Sequence, residues 1–154
     1  MPVLRPLRLQ IPARIIRQFK KLAKTQFPKE AYAFVLGKES PTTLKVEELW
    51  IPEDLTAYTT RSSVSLPKHW YTDAWEYAQE HDLDPLGDIH SHPFSHKECE
   101  IHPGRPEAVP SEADFKTWTS GVNGICVVTE GKTGRLRANI RFWGPMVPFI
   151  EEVI

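Results

Sequence analysis

His90-Ser91-His92-Pro93, followed by Ser111-Glu112-Ala113-Asp114, is where residue types and spacing in this chain can do chemistry. Side chains alternate faces along a strand, so two histidines at i and i+2 project to the same side and can share one metal ion. Leu86-Gly87-Asp88-Ile89 reads as a short strand leading into them. Pro93 cannot donate to a ladder and is expected to end that strand, which leaves the histidines at its tip. A catalytic zinc takes about three protein ligands and keeps one position for water, so the pair wants one more donor, most simply a carboxylate.

Asp114 is the candidate third ligand. Pro110-Ser111-Glu112-Ala113-Asp114 reads as the first turn of a helix running to about Ser120 and stopped at Gly121, with Ser111 as N-cap. The same residues also fit a plain capping box, in which Ser111 and Asp114 satisfy each other's backbone donors and do nothing else. An isolated H-x-H equally fits one histidine packed in a core and one hydrogen-bonded at a strand end. The combination shifts the balance towards chemistry. H-S-H-P followed by S-x-x-D resembles the JAMM motif of the MPN+ (JAB1/MPN/Mov34) metalloproteases. Their third element, P-x-E followed by an apolar run ending in Gly seven residues after the Glu, is matched by Pro28-Lys29-Glu30 and by Ala31-Tyr32-Ala33-Phe34-Val35-Leu36-Gly37. Read from physics alone, Glu30 is an acid at the mouth of a strand that looks buried on both faces, where a desolvated carboxylate needs a task or a partner.

The resemblance covers about the first 145 residues, and it implies a single domain over 1–154. The implied fold is α/β, a mixed curved sheet flanked by helices in the layered manner of cytidine deaminases. It also implies roles: His90, His92 and Asp114 hold one Zn²⁺, Glu30 serves as general base and then acid, and Ser111 hydrogen-bonds the developing oxyanion. The implied activity is isopeptide or peptide cleavage after the C-terminal tail of a ubiquitin-like protein, as in compact prokaryotic deubiquitinase-like members. The partners would be that protein or its conjugate, with E1- or E2-like proteins of the same pathway. The alternatives are a zinc peptidase acting on another small carrier, phage or cell-wall peptide, and a non-catalytic MPN scaffold. Intact Glu30, His90, His92, Ser111 and Asp114 argue against the scaffold.

Two departures from the family pattern stand out. Ala33 occupies a position where the family usually has Gly. Seventeen residues, Phe94 to Pro110, separate Pro93 from Ser111, where the family has about six, so an insertion lies beside the site. Four prolines between 93 and 110 predict an extended, stiff loop without a helix. Such a loop at the rim of a site is a candidate substrate-binding element, with His96 and Arg105 as its candidate residues. Within it His96, Cys99 and His102 recur every third residue and could share a second, structural zinc, although no fourth ligand is evident.

Other zinc chemistries lack their motifs. There is no H-E-x-x-H, and Cys99 and Cys126, the only cysteines, are too far apart for a deaminase P-C-x-x-C. Two cysteines make no disulfide framework and point to a reducing cytoplasm. The prolines and arginines of Met1-Pro2-Val3-Leu4-Arg5-Pro6 do not suit a signal peptide, and no long apolar span follows. A formal net charge of −1 gives no bulk attraction for nucleic acid, and no membrane partner is expected.

The elements that must position these residues follow from periodicity. Leu7, Leu9 and Ile11 alternate as a first strand, and Pro12 to Gln26 repeat as a helix with Ile15, Ile16, Phe19, Leu22 and Ala23 inward and Arg14, Arg17, Lys20, Lys21 and Lys24 outward. Ala31–Lys38 and Leu44–Ile51 read as a strand pair. A second helix opens at Pro67 or Lys68, with Trp70, Ala74, Ala78, Tyr71 and Trp75 forming its apolar face. Gly124-Ile125-Cys126-Val127-Val128 is strand-like, with Cys126 as a small buried hydrophobe. Ile125–Thr129 and Leu136–Trp143 flank a hairpin turn at 130–135.

Overall fold

The computed structural model describes residues 8–111, 114, 121–144 and 147–154. The chain opens with β1 (Arg8–Ile11) and α1 (Ala13–Gln26). Pro12 stands immediately before the helix, where its missing N–H and fixed φ cost nothing. Ile15, Phe19 and Ala23 are the buried residues of α1, four apart along one stripe, while Arg14, Arg17, Lys21 and Lys24 face solvent.

β2 (Tyr32–Glu39) and β3 (Thr43–Trp50) pair antiparallel. All of 31–37 is buried, as expected of a central strand covered on both faces. Gly37 ends that run for a steric reason: the register shifts between Leu36 and Gly37, and a Cβ at Gly37 would lie 1.9 Å from the Lys45 carbonyl oxygen. A short 3₁₀ turn (Leu55–Tyr58) and a tight hairpin closed by a Thr59–Val64 bridge then lead to α2 (Lys68–Glu80). Trp70, Ala74 and Ala78 of α2 are buried, but Tyr71 and Trp75 remain 39% and 45% exposed. The apolar stripe is therefore narrower than the five-residue face expected from periodicity.

β4 (Asp84–Phe94) follows, then α3 (His96–Ile101), β5 (Val122–Glu130), β6 (Leu136–Gly144), β7 (Val147–Pro148) and β8 (Ile150–Val153). The eight strands among the described residues run in the order β7-β6-β5-β4-β2-β3-β1-β8. β7 and β8 are separated by Phe149 alone yet lie at opposite ends of that order, so the mixed sheet curls round until its ends nearly meet, like a barrel. β4 is central, antiparallel to β2 and parallel to β5. No described helix is long and apolar enough to cross a membrane.

Two expectations are corrected here. Pro93 does not end its strand, because β4 stays paired with β5 through Pro93–Val128 and Phe94–Thr129. On the β2 side the ladder has already stopped at Tyr32–His90. Since the Ser91 N–H points to β2 and strand N–H groups alternate sides, residue 93 faces a side with no strand to receive a bond, where proline is tolerated. The insertion is not purely extended either: α3 occupies its first part, started by a full capping box between Ser95 and Glu98. The prolines at 103, 106 and 110 fall after this helix and never interrupt it. The helix expected from Ser111 to Ser120 lies outside the described residues except for Ser111 and Asp114.

Candidate functional site

Alternation along β4 sends Asp88, His90 and His92 to one face and Ile89 and Ser91 to the other. In register with His90 and His92 lie Ile125 and Val127 of β5, both buried, which give the histidines an apolar floor. The His90 and His92 Nε2 atoms stand 3.0 Å apart. Asp114 reaches both, with Oδ1 at 3.0 Å from His90 Nε2 and Oδ2 at 3.1 Å from His92 Nε2. The Asp114 carboxylate also accepts the Ser111 N–H at 2.8 Å, and the Asp114 N–H donates to Ser111 Oγ at 3.2 Å. The capping box and the convergence on the histidines coexist in one side chain, so the two readings of this turn are not exclusive.

Glu30 completes the cluster. It is 6% exposed, and its carboxylate with the two imidazoles forms a group whose ligand-capable atoms all lie within 4.8 Å of one another. Burial pushes the Glu30 carboxyl from its ordinary 4.5 up to about 7, with His90 opposing and Asp114 adding to the rise. Burial also works against ionised Asp114, but hydrogen bonds to His90 and His92 outweigh it and hold that carboxyl well below the usual range. In His90, burial disfavours the cation, and the Asp114 carboxylate reverses this and raises the ring above its ordinary value.

The donor set fits a zinc ion. Ligands 2.0–2.1 Å from a tetrahedral zinc are about 3.3 Å from each other, close to the spacing found among His90, His92 and Asp114. A neutral imidazole Nε2 carries either a proton or a lone pair, so His90 Nε2 cannot serve His92 and Asp114 equally through protons. Donor atoms converging in this way are satisfied by a cation.

These side chains open into a cleft of about 380 Å³, whose lining includes Glu30, His92, Arg61, Glu98, Arg105 and Ser111. Arg105 thus lies where the insertion was expected to meet substrate. His96 does not line the cleft: its Nε2 pairs with Glu100 Oε1 at 2.9 Å and its N–H donates to Glu130 Oε1 at 3.0 Å. The three residues proposed for a second zinc lie along one short helix. His96 and Cys99 belong to α3 and His102 is its C-cap, whereas Glu30, His90 and His92 form a group of potential ligands among the described residues.

Sequence reasoning missed two contributors to the site. Asp88, half-buried on the face of the histidines, accepts the Tyr32 O–H at 2.8 Å, and desolvation raises its carboxyl. Its i−2 spacing from His90 was the available signal. The other is the Thr59–Val64 hairpin. The Thr60 carbonyl accepts the Glu30 N–H at 2.7 Å, while Arg61 and Ser62 line the cleft and Arg61 pairs with Glu98 of α3. Nothing periodic in Thr59-Thr60-Arg61-Ser62-Ser63 announces this. Cys126 is fully buried, and burial pushes its thiol up to about 12, which makes it an inert core residue.

Residues 12–98 match the family described as prokaryotic homologs of the JAB domain. The matched span contains Glu30, His90 and His92 and stops short of Ser111 and Asp114. No curated protein matches the chain. Among solved structures, a solution structure of a Desulfitobacterium hafniense protein aligns with TM-score 0.61 at 15% identity, covering 95% of this chain and 91% of that one. A solution structure of a Salinibacter ruber protein aligns with TM-score 0.55 at 20% identity, covering 94% and 90%. The crystal structure of a JAB1/MPN domain protein from Archaeoglobus fulgidus aligns with TM-score 0.50 at 17% identity, covering 96% and 98%. At these identities the likeness is one of fold.

Proposed function

The chain belongs to the family of prokaryotic homologs of the JAB domain, and from that premise we propose that it is a zinc-dependent isopeptidase or peptidase that cleaves amide bonds after the C-terminal tail of a ubiquitin-like protein. The observation that carries this reading is the convergence of His90, His92 and Asp114 beside buried Glu30 in an open cleft. Three protein donors with a carboxylate next to them match the pattern of catalytic zinc, whereas structural zinc sites are closed by four.

His90 and His92, fixed on one face of β4, and Asp114, fixed by its box with Ser111, would hold the ion. When bound, zinc supplies Lewis acidity, which acidifies water and polarises a carbonyl. Glu30 takes the proton from the attacking water and delivers it to the leaving amine, and a pKa near neutrality suits both halves of that task. The Ser111 Oγ accepts from Asp114, which leaves its O–H to donate to the carbonyl oxygen as negative charge develops there. Ile125 and Val127 keep the floor dry, and charge–dipole interactions strengthen accordingly. A tail of small residues can bring its backbone close to the donors in such a cleft. Partners under this reading are the ubiquitin-like protein or its conjugate and the E1- or E2-like proteins that attach it. Both cysteines are free, which fits a cytoplasmic protein.

Glu30→Gln separates chemistry from metal binding, because it removes the base and leaves His90, His92 and Asp114 in place. Zinc measured by elemental analysis should stay near one per chain, while hydrolysis of a fluorogenic tail ending in Gly-Gly should fall by about two orders of magnitude or more. Equal turnover by Glu30→Gln and wild type overturns the assignment. Cleavage of short peptides with no preference for a conjugate moves the substrate to another small carrier, phage or cell-wall peptide.

A further inference from the structure

Ser91 lies between the two histidines but on the opposite face, and it is 0% exposed. Its neighbours on that face include Ile89, two residues back, and Cys126, its partner in the β5 register. A hydroxyl in such surroundings is unfavourable unless it is used, and an alanine or cysteine would suit the packing better. It is used on one group. The Ala31 N–H donates to Ser91 Oγ at 2.7 Å, and the Ser91 N–H donates to the Ala31 carbonyl at 3.0 Å.

This exchange occurs where β2 parts from β4. The regular ladder ends at Tyr32–His90, and at the next pair a side-chain oxygen receives the Ala31 N–H. One residue further back, the Glu30 N–H faces the other side of the strand and donates to the Thr60 carbonyl at 2.7 Å. The backbone from which the Glu30 carboxylate projects is thus held at two points, by the 59–64 hairpin on one side and by Ser91 on the other. The second tether sits on the same short stretch as His90 and His92. A displacement of that stretch would carry the histidines and the glutamate together.

We propose that Ser91 is the positioning residue for Glu30, its hydroxyl fixing the Ala31 amide and through it the distance between the general base and the donor set. This rests on Glu30 acting as the general base, while the tether itself can be measured without any turnover.

The test uses Ser91→Ala, Ser91→Thr and the volume-conserving Ser91→Cys, the last guarding against a fold that does not tolerate alanine. Amide hydrogen exchange of Ala31 in the metal-free protein reads the tether directly. Protection should drop at least about tenfold in Ser91→Ala and Ser91→Cys relative to wild type and be retained in Ser91→Thr, which keeps the oxygen. In the zinc-loaded protein, Ser91→Ala should keep one zinc and an unchanged KM while kcat falls about 10- to 100-fold, as expected for misplacement of a reacting group. Ser91→Thr should recover most of that loss. Wild-type kcat in zinc-loaded Ser91→Ala overturns the proposal, as does unchanged Ala31 protection in Ser91→Ala and Ser91→Cys. A wild-type protein that binds zinc and hydrolyses nothing overturns the hydrolase reading, and with it the catalytic purpose assigned to Ser91.

Discussion

Between His92 and the α3 segment the chain passes from one manner of holding side chains to another. The strand with His90 and His92 is paired with β5 from Gly87 to Phe94 and with β2 as far as Ala31, and Glu30 beside it is almost fully buried. A few residues later, α3 buries none of its six residues, and Ile101 and Val109 of the same insertion are 58% and 39% exposed. What ties the insertion down is a capping box, the Arg61–Glu98 ion pair at the surface, and single bonds such as Trp143 Nε1 to the Ala108 carbonyl at 3.0 Å. Exposed pairs of that kind are worth about 0–1 kcal/mol each. The comparison separates a rigid centre for chemistry from an adjustable wall for recognition, and it predicts effects of very different size in the two regions.

The largest effect is expected at the centre. His92→Ala and Asp114→Ala each remove one of three donors, so bound zinc should fall from about one per chain to near zero, with hydrolysis lowered by about three orders of magnitude or more. Full zinc occupancy by elemental analysis in both His90→Ala and His92→Ala would mean that the H-x-H clamp is wrong. Two ions in wild type would point to His96, Cys99 and His102.

A second effect concerns stability and has the opposite sign from activity. Because the folded protein raises the Glu30 carboxyl from 4.5 to about 7, the stabilising contribution of its protonated form is present below pH 4.5 and is lost as pH rises through 7. At pH 8 the buried charge costs on the order of 3 kcal/mol, at about 1.4 kcal/mol per pKa unit. Metal-free Glu30→Gln should therefore melt higher than wild type at pH 8, with the gain shrinking towards pH 4.5. In the zinc-loaded protein the carboxylate has a cation beside it, and the advantage should diminish. Urea or thermal melts of both forms across this range test the sign. A Gln variant no more stable than wild type at pH 8 would mean that Glu30 is better solvated than its burial implies.

The same division explains which features could be read from the sequence. The i, i+2 histidines, the i, i+4 stripe of α1 and the acid at the start of an apolar run are local patterns, and local patterns survive into the fold. Misreadings arose where a rule depends on what lies alongside. Proline ends a strand only on the side where its N–H is needed, and at Pro93 that side is vacant of strand. Proline forbids a helix only where it falls, and Ser95-His96-Lys97-Glu98 spelled a capping box upstream of every proline in the insertion. The pairing of β8 with β1, and that of Arg61 with Glu98, join residues distant in sequence with no periodic signal. Tyr71 and Trp75 read as core because helical spacing marks a stripe but not its width. Phe34 meets both rings edge-on at centroid distances of 5.1 and 5.4 Å, and their outer sides remain exposed.

The smallest effect is expected at the wall, where it sharpens the comparison most. Deleting Lys97 to Glu107 removes most of α3, Glu98 and Arg105, and with them one side of the cleft, but no donor to the metal and no hydrogen bond that holds Glu30. Zinc should stay near one per chain and kcat should change little, while KM for a ubiquitin-like conjugate rises, because binding energy from remote parts of the substrate is lost. A short unstructured peptide should be affected less. Glu98→Gln is the milder version. Glutamine at the third helical position still closes the capping box with Ser95, so α3 should persist while the charge that holds Arg61 disappears. Since an exposed ion pair contributes at most about 1 kcal/mol, the change in KM should stay within roughly fivefold and should fade as salt is raised, because screening already weakens the pair in wild type. A kcat loss in Glu98→Gln comparable to that of Glu30→Gln would place the wall inside the chemistry, and unchanged kcat/KM for the conjugate after the deletion would move recognition elsewhere, to α1 or the C-terminal strands.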